Sequence, residues 1–305
     1  MNDKNKKLST LFILTLAAAL ISTGARIAMT LLFLDADYGV YAQGTHVPTI
    51  THILTFILCL AAGGLGLFAA KDYPRPTTPA VTSLTVFTSC ITAFLIAASS
   101  LLSLYNIVVG GMSADKMTIA LIIVSIPAVI YFFALTKTNV KPTPALAVMS
   151  FFPTVWFVLR LISVYFDQTV LITSPAKNFH QLALLSIALY MLCESRFILG
   201  KPLGKLFFAM SPIAPILVFT SSLPAMLLSD KLMIGDSDNF IVYAVELAMS
   251  LFILSRQLAF MKAPGTLPEP EKKTDEKHDG KKENRKINVT HFTGSHFLCH
   301  ISKST

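Results

Sequence analysis

Thr49-Ile-Thr-His-Ile-Leu-Thr-Phe-Ile-Leu-Cys-Leu-Ala-Ala-Gly-Gly-Leu-Gly-Leu-Phe-Ala-Ala70 runs for 22 residues without a Lys, Arg, Asp or Glu. As a helix it is about 33 Å long, and about 20 mainly apolar residues suffice to cross the hydrocarbon core of a bilayer. Seven segments of the same kind accompany it: Leu8–Leu34, Ala80–Leu104, Met117–Leu135, Pro144–Phe166, Phe179–Leu199, Leu206–Leu228 and Phe240–Met261. The sequence therefore predicts an all-α, polytopic membrane protein, a bundle of eight transmembrane helices over residues 1–262 with a polar tail over 263–305. Its first partner is the lipid bilayer.

Composition supports that reading. The chain is 53% hydrophobic and only 14% charged, too little charge to cover the surface of a soluble protein of 305 residues. The formal net charge of +8 does not point to nucleic acid, because basic cytoplasmic loops are what sets the orientation of a membrane protein. Alternate loops separate cleanly. One set, with the N-terminus, holds 12 basic residues, among them Lys71, Lys137, Arg196, Lys201 and Arg256. The other holds Lys116, Lys177 and Lys231 and seven acids, including Asp35, Asp115, Asp167 and Asp238. Both termini are expected in the cytoplasm, and the protein in the cell membrane. Lys4, Lys6 and Lys7 followed by an apolar run imitate a signal peptide. The run continues past Arg26 to Leu34, however, so an uncleaved first helix is expected.

Proline marks irregularity. Pro127, Pro153, Pro212, Pro215 and Pro224 fall inside spans, and the pair Pro212 and Pro215 makes the seventh span the one expected to break. Gly63-Gly-Leu-Gly66 is a close-packing signal, since small residues let helix backbones approach. Cys59, Cys90 and Cys193 lie in apolar segments and read as small buried hydrophobes.

Residues 8–135 and 144–261 share rare features and suggest a parallel four-plus-four repeat. Arg26 precedes Asp35 as Arg160 precedes Asp167. Thr51-His52 opens the second span as Phe179-His180 opens the sixth, and both of these spans close on a lysine-proline turn. Parallel repeats recur in transporters, with the binding site at their interface.

Charge inside a span is the strongest pointer to function, because it costs about 2.5–3.5 kcal/mol on insertion scales. Arg26, Arg160, Glu194 and Glu246 qualify. Arg26, Arg160 and Glu246 lie nine, seven and eight residues from the outer acids Asp35, Asp167 and Asp238. That places all three about 10–13 Å below the outer surface. His52 and His180 lie just above. The expected arrangement is an outward pocket in which Glu246 pairs one arginine and the other arginine takes a small anionic ligand in a bidentate fork. Tyr38, Tyr41, Trp156 and Tyr165 are candidates to line it. The competing reading is an Arg–Glu pair that only orders the bundle. Glu194 is expected to pair with Lys201 or Arg256, or to carry a proton. Arg196 and Arg256 are expected to snorkel to the headgroups.

No GxSxG, HExxH, Walker A or paired-cysteine motif is present, so no enzyme, no cofactor and no metal centre is expected. Asp35-Ala-Asp37 and Asp236-Ser-Asp238 read as acidic outer loops rather than as metal sites. The tail is a mixed-sign polar run ending in an apolar cluster, Phe292–Ile301, which could dock a protein partner. The leading function is a small-solute transporter or permease. A sensor, regulatory subunit or scaffold is the alternative. A third reading, an intramembrane enzyme acting on a lipid-linked substrate, would need Asp35 beside Asp236.

Overall fold

A computed structural model describes residues 3–35, 40–41, 46–73, 81–111, 115–137, 143–167, 174–228 and 237–262. Nine helices and one short ladder occur among them. They are α1 (Asp3–Phe33), β1 (Leu34–Asp35), β2 (Val40–Tyr41), α2 (Val47–Ala70), α3 (Ser83–Val108), α4 (Lys116–Ala134), α5 (Pro144–Met149), α6 (Phe152–Phe166), α7 (Pro175–Ile198), α8 (Gly204–Leu227) and α9 (Ser237–Lys262). Eight spans are long and apolar enough to cross a membrane, α5 and α6 sharing one of them. β1 and β2 pair antiparallel, Leu34 opposite Tyr41, at the end of the bundle where α1 finishes and α2 begins. That end is here the hairpin end, and the opposite one the N-terminal end.

Local chemistry sets the helix ends. Thr82, Asp115 and Thr143 sit in extended backbone as N-caps, and each accepts from backbone N–H groups of the turn that follows. Proline occupies the first turn of α2, α5, α6 and α7, where its missing N–H costs nothing. α7 begins at Pro175, four residues before the sequence reading placed it. Lys177 and Asn178 look like loop in the sequence. In the fold Lys177 is buried, and its ammonium donates to the carbonyl of Asp167, the C-cap of α6. A cation at a helix C-terminus meets carbonyls that lack helical donors.

α8 is the axis of the bundle. It packs on α1, α2, α7 and α9, and the sequence α9, α3, α4, α6, α7 closes a ring back onto it. α1 and α2 lie on the other side of α8. Being clasped by four neighbours, α8 is apolar all round rather than on one stripe, as a fully buried helix is. Aromatic rings fill the ring of helices: Phe132 of α4 meets Phe252 of α9 edge-on at 5.5 Å, and Trp156 meets Phe157 at 4.9 Å. Cys59 and Cys193 are buried free thiols, as their apolar surroundings predict. Exposed Leu20, Leu60, Phe94 and Leu101 cover the outside of the bundle, a surface suited to lipid. The two halves are not packed alike. A parallel repeat relates α2 to α7 and α3 to α8, yet α2 lies along α8 while α7 and α3 share no comparable seam.

The broken span is the fifth, not the seventh. α5 ends at Met149, and α6 restarts at Phe152 with Pro153 in its first turn. α8 stays continuous through Pro212, Pro215 and Pro224. The difference lies in support. α5 packs only lightly on α4, α6 and α7, so the proline can end a helix there. Four helices hold α8 in line against a proline penalty of about 3 kcal/mol. The α2 seam shows how closely. Pro212 cannot donate to the Phe208 carbonyl, and Gly66 of α2 faces that carbonyl directly. A methyl group at Gly66 would lie 2.8 Å from the Phe208 carbonyl carbon and closer still to its oxygen. Gly63 likewise abuts Ile213, whereas Gly64 faces open space. The glycine cluster is a packing device.

Candidate functional site

Two polar layers cross the bundle. The one nearer the hairpin end is built by α1, α2, α7, α8 and α9. Glu246 of α9 is fully buried. Its Oε1 lies 2.5 Å from His180 Nε2 of α7, and its Oε2 accepts from Ser222 Oγ of α8 at 2.5 Å. The His180 ring packs on Tyr243, centroids 4.8 Å apart. Tyr243 stands one helical turn before Glu246, within electrostatic reach of Glu246, Arg160 and Arg26.

Arg26 of α1 is only 4% exposed. One nitrogen, Nη2, donates to the Pro175 carbonyl at 3.2 Å, where the first turn of α7 offers an acceptor. The guanidinium lies over the Phe179 ring at 4.2 Å, a cation–π contact. Nε and Nη1 are buried and have no partner among the described residues. Phe179 continues to His52 of α2 at 5.1 Å, and His52 to Tyr41 of β2 at 5.9 Å. The aromatic chain thus ties the hairpin to the arginine.

Four of the five residues singled out from the sequence for ligand binding, Arg26, His52, His180 and Glu246, are linked through these contacts. Their pairing is not the expected one. Glu246 takes a histidine and a serine in place of an arginine, because α7 and α8, not α1, present side chains to both of its oxygens. His180 is a buried partner rather than an interfacial residue. Arg160 of α6 is half-buried, lies within electrostatic reach of Tyr243, and lines a cavity of about 320 Å³ with Asp115, Ser163, Val164, Phe166 and Asp167. Trp156 is buried and Tyr165 is exposed. Tyr38, Asp37, Asp236 and the tail lie outside the described residues.

The second layer lies nearer the N-terminal end. Arg256 Nη2 of α9 donates to Glu194 Oε1 of α7, and both residues are 1% exposed. Tyr190 Oη donates to the other carboxylate oxygen at 3.4 Å, and Tyr131 of α4 lies within reach of both charges. Thr88 and Ser255 share a hydrogen bond of 3.1 Å beside them. Arg256 therefore does not snorkel. It sits ten residues from Glu246 on α9, about 15 Å along the axis. The sequence reading offered Arg256 as one of several partners for Glu194 and placed its head at the headgroups. It missed Phe179, Ser222 and Tyr243, ordinary residues for a span and given meaning only by neighbours distant in the chain.

A carboxylate held by a histidine and a hydroxyl can keep or share a proton. A buried guanidinium with nitrogens unmet can take an anion. No family model, curated protein or solved structure matches this chain.

Proposed function

The chain is a multi-pass membrane protein, and we propose that it is a small-solute transporter that holds an anionic group of its solute against Arg26. In this reading the hairpin end faces outward from the cell membrane, following the sorting of loop charge. The observation that carries it is Arg26 itself: 4% exposed, with Nε and Nη1 lacking partners among the described residues. A buried donor left unmet costs about 1–3 kcal/mol, more for a charged group. A carboxylate or phosphate would meet those donors in the geometry guanidinium favours. His52 and Tyr41 continue from the Phe179 ring beside Arg26 and offer polar tips along an aromatic wall, the mixed lining typical of small-molecule sites.

Thermal unfolding of the purified protein across a panel of small carboxylates and oxyanions tests this. A ligand at a hundredfold its dissociation constant adds about 2.7 kcal/mol of stability. The shift is expected for wild type, lost in Arg26→Gln and weakened in Arg160→Gln. No shift with any compound, with both variants melting below wild type, would reduce the charges to structural struts.

A sensor is the second reading, and one observation favours it. The 320 Å³ cavity lies at the hairpin end, while Glu194, Arg256, Tyr131 and Tyr190 fill the other half of the bundle. Proteoliposomes loaded with the anion that shifts the melt separate the two. Exchange of labelled solute supports transport, and binding without exchange supports sensing.

A further inference from the structure

We propose that a single ordered water is bound between α8 and α9 near the N-terminal end, held by Gln257 and by the Ser211 carbonyl that Pro215 leaves without its helical donor, at a site independent of Arg26.

The α8–α9 seam keeps one register along its length. Ser222 bonds Glu246 nearer the hairpin end. Phe208 meets Phe260 edge-on at 5.1 Å nearer the N-terminal end. Between these contacts Ser211 and Gln257 line one crevice. Ser211 is 11 residues from Ser222, and Gln257 is 11 residues from Glu246, so the two pairs face each other alike. Leu8, Leu11 and Phe12 of α1 close the crevice on its third side. Of its lining side chains only those of Ser211 and Gln257 are polar.

Two observations make this a site for a polar guest. Gln257 is 8% exposed, and neither Nε2 nor Oε1 has a partner among the described residues. Pro215, inside α8, has no N–H to give the Ser211 carbonyl four residues before it. In a membrane such freed carbonyls are met by neighbouring side chains or by ordered water. Size selects the guest. The crevice has about 10 Å³, room for one water and for no acyl chain or solute. Water can donate to the Ser211 carbonyl while it accepts from Gln257 Nε2, and its second hydrogen is left for the Ser211 hydroxyl. The last torsion of glutamine is soft, so the amide turns to its guest at little cost. α8 is thereby clamped to α9 at two polar points, a direct one at Ser222–Glu246 and a wet one about 16 Å along the seam. The wet clamp gives part of the support that keeps α8 straight through its prolines.

The sign of a melting shift tests this. Full-length Gln257→Leu loses the amide at nearly constant volume. With water bridging the amide to Ser211, the change leaves the carbonyl unmet, and the melting temperature should fall by about 2–6 °C. With a dry amide the same change removes a costly unmet group. Melting unchanged or raised would therefore overturn the proposal. Pro215→Ala returns an N–H to the Ser211 carbonyl, and in that background the loss from Gln257→Leu should shrink by about half or more. An equal loss in both backgrounds would overturn the role given to that carbonyl.

Crystals of the wild-type chain decide directly, and alone where a variant fails to fold. One compact density peak is expected within hydrogen-bonding distance of both Gln257 and the Ser211 carbonyl. Gln257 bonded straight to Ser211, elongated lipid density in the crevice, or no peak there would each overturn the bound water.

Discussion

Replacing Arg256 by methionine should lower stability by about 3–5 kcal/mol, the largest loss expected of any single change in this bundle. Arg256 and Glu194 are each 1% exposed, and the guanidinium donates straight to the carboxylate. Removing it strands a carboxylate between α7 and α9, with the 3.4 Å hydrogen bond from Tyr190 as its remaining support among the described residues. Methionine supplies the lost volume, so the deficit reads charge rather than cavity. The pair itself is no great source of stability, because desolvating two ions offsets most of their attraction. Glu194→Gln together with Arg256→Met should therefore recover most of the loss, leaving a coupling energy well above 1 kcal/mol in a double-mutant cycle. Denaturant titrations in detergent measure it. A loss below about 1 kcal/mol for Arg256→Met would match an exposed ion pair and contradict the burial described.

Gly66→Ala is the second large effect, at about 1–3 kcal/mol of destabilisation from a single added methyl group. The backbone of α2 touches α8 at the Phe208 carbonyl, which Pro212 leaves without its helical donor. Backbone cannot step aside as a flexible side chain can. The whole α2–α8 seam must open, or α8 must bend at a proline already held straight. Gly64→Ala is the matched control, because nothing lies within 4 Å of a methyl group there. Alanine in a helix interior is favoured over glycine by about 1 kcal/mol, so that control should be neutral or slightly stabilising. Melting temperatures of the two variants should thus move apart. Equal behaviour would mean that α2 does not approach α8 by its glycine face.

Much of this fold could be read in the sequence because lipid simplifies the problem. Each span must satisfy its backbone internally, so apolar length alone marks Thr49–Ala70 and its seven companions. The charges of the candidate site stood out for the same reason: Arg26 and Glu246 are expensive in a span, whatever surrounds them. What the sequence withholds is which helix faces which. Glu246 and Arg26 look like natural partners by charge and depth, yet their pairing depends on the rotation of α7 and α8 about their axes, which puts His180 and Ser222 first. The depth of Arg256 was hidden likewise. Six residues from Lys262 is within a long side chain's reach of the headgroups, and only the clasp of α7 against α9 turns it inward. Proline failed as a local signal because its effect depends on support, so Pro153 ends a helix while Pro212 does not.

The central claim is that an anion sits on Arg26. Crystals of the full chain grown in selenate would locate one directly through the anomalous signal of selenium. The account predicts a peak within hydrogen-bonding distance of Arg26 Nε or Nη1, against the Phe179 ring, absent from crystals of Arg26→Gln. A peak confined to the cavity beside Arg160, or none within the bundle, would contradict it.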